Sequence, residues 1–201
     1  MKRLKYVLAA LPALLFMACG GGNTATQDGL TGKVTMDGYE GKQVYLETTS
    51  VPASRVDSAL VKDGKFSFTF TDSIPQVYNL VLVTSSDDVF PIILPVVSEK
   101  GHVQVSMGEY VLTQGTPMND SLQDFLLAVS TLTDKAMQQE KLDMEKVKAD
   151  FAKLVEGAIL QNIQTPVGIY IYRMYADRLD DAQRETILSR ADNSFKEAVK
   201  E

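Results

Sequence analysis

The only cysteine of the chain, Cys19, is the residue whose position most directly indicates chemistry. A basic start and an apolar run over residues 6–17 precede it, and the small residue Ala18 comes directly before it. This order is typical of a secretory signal with a small-residue cleavage site. The pattern therefore predicts a lipoprotein signal peptide over residues 1–18, cleavage before Cys19, and attachment of lipid to its thiol.

Two other interpretations of this segment are a transmembrane anchor and a signal peptide without lipid. The apolar run is interrupted by Pro12 and is shorter than the roughly 18 to 20 residues that span a bilayer, which disfavours an anchor. Phe16 and Met17 replace the leucine and the small residue that are usual before a lipidated cysteine. Because of these two departures, a secreted protein with one free thiol is the alternative interpretation. If Cys19 is lipidated, two or more attached lipid chains would anchor the protein stably.

The residues that follow Cys19 bear on the destination of the protein. Residues 20–24 carry no charge, so they lack the aspartate that retains lipoproteins in the inner membrane of many Gram-negative bacteria. We expect an outer-membrane protein that faces the periplasm, with residues 19–28 as a short flexible tether.

The chain that follows the signal peptide is acidic. Once Lys2, Arg3 and Lys5 are removed with the signal peptide, the 20 Lys and Arg residues become 17, against 26 Asp and Glu, a net charge of −9. An acidic body disfavours binding to nucleic acid and to the surface of anionic lipid. The membrane would be reached only through the N-terminal lipid.

Up to about residue 115 the chain contains short β runs separated by turn residues, which predicts seven or eight strands in an antiparallel sandwich. Asp63-Gly64 lies between two of the runs and indicates a two-residue hairpin, because Gly tolerates the positive φ of a tight turn. Residues 78–83 and 92–97 are apolar on both faces and are predicted to be the central strands. The runs are 30–36, 44–48, 55–62, 66–70, 77–84, 89–97, 102–107 and 110–114.

After Thr116-Pro117 the apolar residues recur at helical spacing, which predicts a four-helix C-terminal region. The predicted helix starts are Asn119 or Asp120, Thr165-Pro166, and Asp180 with Gln183 as a capping box, and a further apolar stripe runs from Met144 to Ile163. The sequence therefore predicts an α+β protein, with a β-sandwich domain over residues 29–116 and a helical region over residues 117–201 packed on or beside it.

Several short motifs carry a resemblance to a known family. The motifs are Thr31-Gly32-Lys33-Val34, Val44-Tyr45-Leu46, Asp57-Ser58-Ala59, Lys62-Asp63-Gly64-Lys65-Phe66, Pro75-Gln76-Val77-Tyr78-Asn79-Leu80, Glu99-Lys100-Gly101-His102-Val103, Gly115-Thr116-Pro117-Met118-Asn119 and Thr165-Pro166-Val167-Gly168. In this order they resemble the domain of unknown function that precedes the thioredoxin domain in TlpA-like, membrane-attached disulfide reductases (AhpC/TSA family lipoproteins) of Gram-negative bacteria. The resemblance extends over about residues 30–195.

The sequence departs from this family where a thioredoxin fold with its Cys-x-x-Cys would begin, because the last residue is Glu201 and the 201 residues include one cysteine. The resemblance therefore does not carry reductase activity over to this sequence. It implies instead a module that contacts a periplasmic thioredoxin-like protein or another envelope protein. No cofactor is expected.

Few other residues suggest catalysis or metal binding. His102 is the only histidine, which excludes a histidine-based metal cluster and a serine-histidine triad, and we interpret it as a surface or rim residue. The acidic residues within 87–88 and 177–181 lack the spacing of a calcium loop and are typical of turns and helix caps. We predict no catalytic residue and no metal site.

A candidate interface lies on the third predicted helix. Tyr170, Tyr172 and Tyr175 recur there beside Arg173, and Tyr and Arg are both favoured at interface hot spots. The alternative is a tyrosine stripe that packs against the sandwich.

Three Asp-Ser-apolar triplets resemble the acceptor sites of a general periplasmic O-glycosylation system. Their serines are Ser58, Ser73 and Ser121. Turn and helix-start chemistry explains the second and third triplets equally well. The mass of the intact native protein distinguishes the two interpretations.

The leading hypothesis is a non-enzymatic, lipid-tethered periplasmic module that binds a protein or a ligand. One alternative is a hydrolase or carbohydrate-active protein that uses two carboxylates facing one cleft, roughly 5 to 10 Å apart. A second alternative is a structural lipoprotein of envelope assembly, which would have no deep pocket.

Overall fold

The computed structural model describes residues 28–83, 91–108 and 110–200. The predicted signal peptide, Cys19 and nearly all of the predicted tether lie outside these residues. Within the described residues, eight strands are followed by five α-helices. The strands are β1 (Gly29–Val34), β2 (Gln43–Thr48), β3 (Arg55–Leu60), β4 (Lys65–Thr69), β5 (Val77–Leu82), β6 (Ile92–Val97), β7 (His102–Met107) and β8 (Val111–Gln114). The helices are α1 (Pro117–Met137), α2 (Met144–Gln161), α3 (Pro166–Tyr175), α4 (Asp181–Arg190) and α5 (Asn193–Ala198), with a short 3-10 helix at Ala176–Arg178 between α3 and α4.

The strands form two four-stranded sheets, which confirms the predicted α+β class. Sheet A has the order β4-β1-β7-β8, and sheet B has the order β3-β2-β5-β6. Every neighbouring pair is antiparallel except β1 and β7, which run parallel. A parallel pair is feasible here because five strands separate β1 from β7 along the chain, so the connection is long.

A tight turn joins the ends of β3 and β4, as Asp63-Gly64 predicts. Asp63 has φ 52° and Gly64 has φ 66°, the positive values that a primed two-residue turn requires at both positions. The carboxylate of Glu40 accepts hydrogen bonds from the N–H groups of both residues, at 2.9 and 3.1 Å. The hairpin therefore depends on local backbone chemistry and on one acidic side chain from an earlier loop.

The main core lies between the two sheets. It contains inward-facing residues of both, such as Leu30, Phe66 and Val103 from sheet A and Val44 and Leu80 from sheet B. Alternation along the strands places these side chains on one face and polar side chains on the other. Burial of this apolar area is the main stabilising term for the sandwich.

A second core joins sheet B to the helices. The side chains of Val77 and Val97 do not belong to the core between the sheets. They pack with residues of α1, α2 and α3, including Phe125, Ile159 and Ile171. The prediction that residues 92–97 form a central strand is wrong, because β6 is an edge strand of sheet B. It is apolar on both faces because helix α1 contacts it. Pro95 is also compatible with an edge position, since it cannot donate a ladder hydrogen bond.

The helix boundaries differ from prediction at two places. Helix α1 has Thr116 as its N-cap and Pro117 at its first position, so Asn119 and Asp120 lie within its first turn. The helix predicted to be the last one is in fact two helices. The first, α4, ends before Ala191, whose backbone is extended. The second, α5, begins after Asp192, whose carboxylate caps it by accepting a hydrogen bond from Phe195 N at 2.8 Å.

Two other helix starts are confirmed. The capping box of Asp180 and Gln183 is present at α4. Thr165 precedes Pro166 as the N-cap of α3, although its hydroxyl donates to Asn162 O rather than capping the helix. In the described part of the chain no helix combines the length and apolar character of a membrane span.

A buried polar cluster joins the end of β6 to the start of α1. Glu99 Oε1 accepts hydrogen bonds from the N–H groups of Met118 and Asn119, at 2.8 and 2.9 Å, and so serves two amides that the helix itself cannot satisfy. The Asn119 side chain is fully buried and makes two bonds to the backbone of Val97. This junction holds the helices against the sandwich.

Candidate functional site

The outer face of sheet A carries an open groove. The outward positions of β1 and β7 supply Thr31, Lys33, Gln104 and Ser106, because they alternate with residues that point into the core. Strands β4 and β8 add further polar side chains at its two sides. This sheet-A groove has a volume of about 370 Å³ and is lined by Thr31, Lys33, Lys65, His102, Gln104, Ser106, Leu112 and Gln114, with Gly32 and Val105 beneath them.

Strand pairing decides which side chains become neighbours in the groove. In the register of sheet A, Lys33 lies opposite Lys65, and Gln104 lies between Thr31 and Gln114. The described residues that line the groove include no Asp or Glu. A cationic, hydrogen-bonding surface is thus exposed on a chain that is acidic as a whole.

His102 lies in this groove and not at an isolated surface position. Its Nε2 is 2.9 Å from Thr31 Oγ1, a hydrogen bond that joins the first residue of β7 to β1. The side chain is half-buried. The contact positions the Thr31 hydroxyl at one end of the groove.

A second cleft lies between α1 and α2 and contains two carboxylates. Asp124 and Asp150 line it, together with Lys153 and Ser121, and its volume is about 540 Å³. Both aspartates are exposed to solvent, whereas a general acid needs a desolvated carboxyl group. Across the described ranges no group of three or more His, Cys, Asp or Glu side chains could hold a metal ion.

A third, more apolar groove runs along α2 beside the end of α3. Phe151, Met144 and Met174 line it together with Tyr175, and its volume is about 580 Å³. Met144 and Met174 are about half exposed, at 51% and 53%. Exposed methionines beside an aromatic ring form an adaptable apolar surface.

The predicted interface residues of α3 take part largely in internal packing. The Tyr175 ring contacts Phe125 and Phe151, with centroids 5.3 and 6.0 Å apart, and the Tyr172 ring contacts Phe195 at 5.7 Å. Arg173 Nε donates to Ala198 O at 2.9 Å. Helix α3 therefore uses these side chains to hold α1, α2 and α5, and their role in an interface stays a prediction.

Tyr170, the fourth residue of the predicted interface, is half-buried in the same region. Burial raises the pKa of Tyr170 to about 12, with a smaller contribution from Tyr175. Its hydroxyl therefore stays protonated at neutral pH and offers a neutral hydrogen-bonding group.

The three candidate glycosylation serines lie in different environments. Ser58 is exposed on the edge strand β3, and Ser73 is exposed in the bend between β4 and β5. Ser121 lies in α1, where its hydroxyl donates to Asn162 Oδ1 at 2.9 Å. The first two hydroxyls are accessible to an enzyme, and the third is engaged between two helices. Cys19 lies outside the described residues.

Sequence reasoning did not identify Lys33, Lys65, Gln104 or Gln114 as members of one site. The alternation of polar and apolar residues along each strand is a signal for the wet face. The alternation contains no information on strand order, so it could not bring residues about 10 to 80 positions apart into one groove.

Comparison with known proteins adds one finding to this geometry. The model of a family described as "Domain of unknown function (DUF4369)" matches residues 29–122. This segment begins with β1, includes both sheets and ends in the first turns of α1. No curated protein and no solved structure matches the chain. The matched segment therefore contains the sandwich, its groove and the Glu99–Asn119 junction.

Proposed function

We propose that this protein is a non-enzymatic outer-membrane lipoprotein whose sandwich binds a ligand or an envelope protein at the sheet-A groove, on the periplasmic side of the membrane. The observation that carries the proposal is the groove itself, which combines a volume of about 370 Å³ with polar side chains held on four strands. Side chains on paired strands are held more precisely than side chains on loops, as a binding site requires.

The other surfaces support this choice of face. Helices α1 and α3 contact sheet B through β6 and β5, so its outer side is used within the fold, and α1 also contacts β8 at the edge of sheet A. The outward-facing polar residues of sheet A are mostly exposed to solvent. A ligand that approaches the sandwich therefore meets sheet A without any rearrangement of the helices.

The envelope partner in this proposal follows from the resemblance to modules beside thioredoxin domains. A thioredoxin-like protein in the same compartment is the partner that this resemblance favours. The α2–α3 groove, with Met144, Met174 and Tyr175, is the second surface available for such a protein. Its lining contains more large apolar side chains than that of the sheet-A groove, and apolar cores are typical of protein interfaces.

Binding is favoured over carboxylate hydrolysis and over a purely structural role. The cleft between α1 and α2 leaves both of its carboxylates, Asp124 and Asp150, exposed, so nothing gives them the distinct environments that acid and base catalysis need. A structural assembly role does not require the cationic groove that Lys33 and Lys65 form.

Site-specific photocrosslinking in intact envelopes tests the binding face. With benzoylphenylalanine in place of Gln104, an exposed groove residue, we expect a crosslinked species of defined mass. The matched control has the same substitution at Gln139, which is exposed beyond the end of α1 and outside the groove. Equal products at both positions, or none at Gln104, would argue against the proposal.

The tether makes a separate prediction for localisation. We expect Cys19→Ser to move the protein from the membrane fraction to the soluble periplasmic fraction and to abolish labelling with radioactive palmitate. The serine hydroxyl cannot form the thioether on which stable anchoring by several lipid chains depends. Ser58→Ala serves as the control and should stay with the membrane. A Cys19→Ser protein that still sediments with membranes would refute lipid anchoring.

A further inference from the structure

The sheet-A groove contains two lysines in an arrangement that does not stabilise the fold. Lys33 and Lys65 are direct partners in the antiparallel pairing of β1 with β4, which places their Cβ atoms about 5 Å apart. Like charges at such positions destabilise a sheet. Among the described residues neither lysine forms an ion pair. An anion bound between the two ammonium groups would remove this repulsion.

The groove also contains uncharged hydrogen-bonding groups, on the neighbouring strands β7 and β8 and at the next outward position of β1. Gln104 and Gln114 are direct partners in the pairing of β7 with β8, and Thr31 lies opposite Gln104 on the other side. Within the described part of the chain the two side-chain amides have no hydrogen-bond partner. An amide both donates and accepts hydrogen bonds, and so does a sugar hydroxyl, whereas an ionised carboxylate only accepts.

The dimensions of the groove favour a small ligand. Neighbouring strands lie about 4.8 Å apart, and alternate residues on a strand lie about 6.8 Å apart. The lysine pair and the glutamine pair therefore span roughly 10–15 Å across the sheet. Together with the volume of about 370 Å³, this space matches a ligand the size of a disaccharide, at the lower end of small-molecule pockets.

Larger partners fit this face less well. Anionic membranes are recognised by clusters of about four to eight basic residues, and this groove offers two lysines. Protein interfaces depend on aromatic and arginine hot spots. The described lining residues of the groove include no Phe, Tyr, Trp or Arg, and Leu112 is the one large apolar side chain among them that is exposed.

We infer that the sheet-A groove binds an acidic saccharide, a sugar that carries a carboxylate or sulfate group. Lys33 and Lys65 contact the acidic group, while Gln104 and Gln114 hydrogen-bond to ring hydroxyls. His102 keeps the Thr31 hydroxyl in position through their 2.9 Å contact. This inference rests on the proposed function and gives the chemical class of its ligand.

Calorimetric titration of the full-length protein in detergent tests the inference with three probes. Digalacturonate contains both the carboxylates and the hydroxyls, a neutral galactose disaccharide lacks the charge, and a Glu-Glu dipeptide lacks the hydroxyls. We expect digalacturonate to bind at least about tenfold more tightly than either of the others. A tenfold difference corresponds to the loss of about one charge-assisted hydrogen bond for the neutral disaccharide, and of about one to three hydrogen bonds to hydroxyl groups for the dipeptide. Its affinity should fall as salt is raised.

Two double variants locate the site. Lys33→Gln/Lys65→Gln should weaken digalacturonate binding at least about tenfold while its melting temperature stays the same or rises, since the like-charge repulsion is removed. Lys141→Gln/Lys146→Gln is the control, because it removes the same charge from two exposed residues outside the groove and should bind as the parent does. Unchanged affinity in the Lys33/Lys65 variant would overturn the inference.

The failure of this inference is distinguishable from the failure of the proposed function. Two outcomes would show that the ligand is not an acidic saccharide although the groove is a binding face. In the first, Glu-Glu binds as tightly as digalacturonate. In the second, digalacturonate does not bind while the protein with benzoylphenylalanine at Gln104 still forms its specific crosslink. If digalacturonate does not bind and the crosslink is also absent, both proposals are wrong.

Discussion

Replacement of Asn119 by alanine is expected to lower the free energy of unfolding by about 2–4 kcal/mol. The side chain of Asn119 is fully buried, its Oδ1 accepts from Val97 N, and its Nδ2 donates to Val97 O, both at 2.9 Å. Val97 is the last residue of the edge strand β6. The amide therefore pairs with the β6 backbone as a neighbouring strand would, and its removal leaves a buried donor and a buried acceptor without partners.

Thermal unfolding followed by circular dichroism measures this effect. A loss of this size corresponds to a fall in melting temperature of roughly 4–16 °C for a protein of this length. Asn193→Ala is the matched control, because Asn193 is exposed at the start of α5, and we expect its effect to be within about 0.5 kcal/mol. If the Asn119 and Asn193 variants unfold at the same temperature, the junction does not hold the helices as described.

Gly168→Ala is expected to destabilise the protein by about 1–3 kcal/mol. A Cβ atom at Gly168 would lie 2.3 Å from the carbonyl oxygen of Asn162 and 2.7 Å from its carbonyl carbon. Both are backbone atoms at the end of α2, so no side-chain rotation can make room. Helix α3 would have to move away from α2, and Val167 and Ile171, which are fully buried beside α2, would lose packing contacts.

The same substitution at Gly157 is a control of opposite sign. Gly157 is exposed in the middle of α2, and a Cβ there meets no atom within 4 Å. Alanine at an unobstructed helix position is favoured over glycine by about 1 kcal/mol, so Gly157→Ala should raise the melting temperature while Gly168→Ala lowers it. A rise in both variants would show that α3 is free to move away from α2.

Asn119 and Gly168 each lie in a short sequence motif that is uninformative alone. The tertiary contacts explain why these residue types occur there. Glu99 and Asn119 come from two different motifs of the sequence and meet in one hydrogen-bonded cluster, with Asn119 Nδ2 3.3 Å from Glu99 Oε1. Gly168 ends a third motif and permits the close approach of α3 to α2. Each residue type is required by a contact with a distant segment.

Local signals in the sequence predicted most of the elements. Alternation of Phe66 and Phe68 with polar residues, the Asp63-Gly64 turn and the Asp180 capping box each depend on neighbours within a few positions, and each is present in the structure. The prediction that α1 starts at Asn119 was wrong for a reason that is not local. A residue with cap chemistry was used for a long-range contact with Val97, while Thr116 took the cap position.

These local signals could not predict the order of the strands in the sheets. The sequence indicated that residues 92–97 are apolar on both faces, but a central strand and an edge strand beside a helix produce the same pattern. The parallel pairing of β1 with β7 likewise depends on the arrangement of all eight strands. For this reason the groove residues could be assigned to a polar face but not to one another.

The sequence by itself determined the local chemistry of this protein: the signal-like pattern around Cys19, the acidic balance, the alternating strands and the capped helices, because each depends on composition or on residues close together in the chain. The tertiary structure decided which surfaces exist. Pairing placed Lys33 opposite Lys65 on the open side of sheet A, and helix packing covered part of the outer face of sheet B. Such contacts join residues far apart in sequence, and their energies depend on the whole fold.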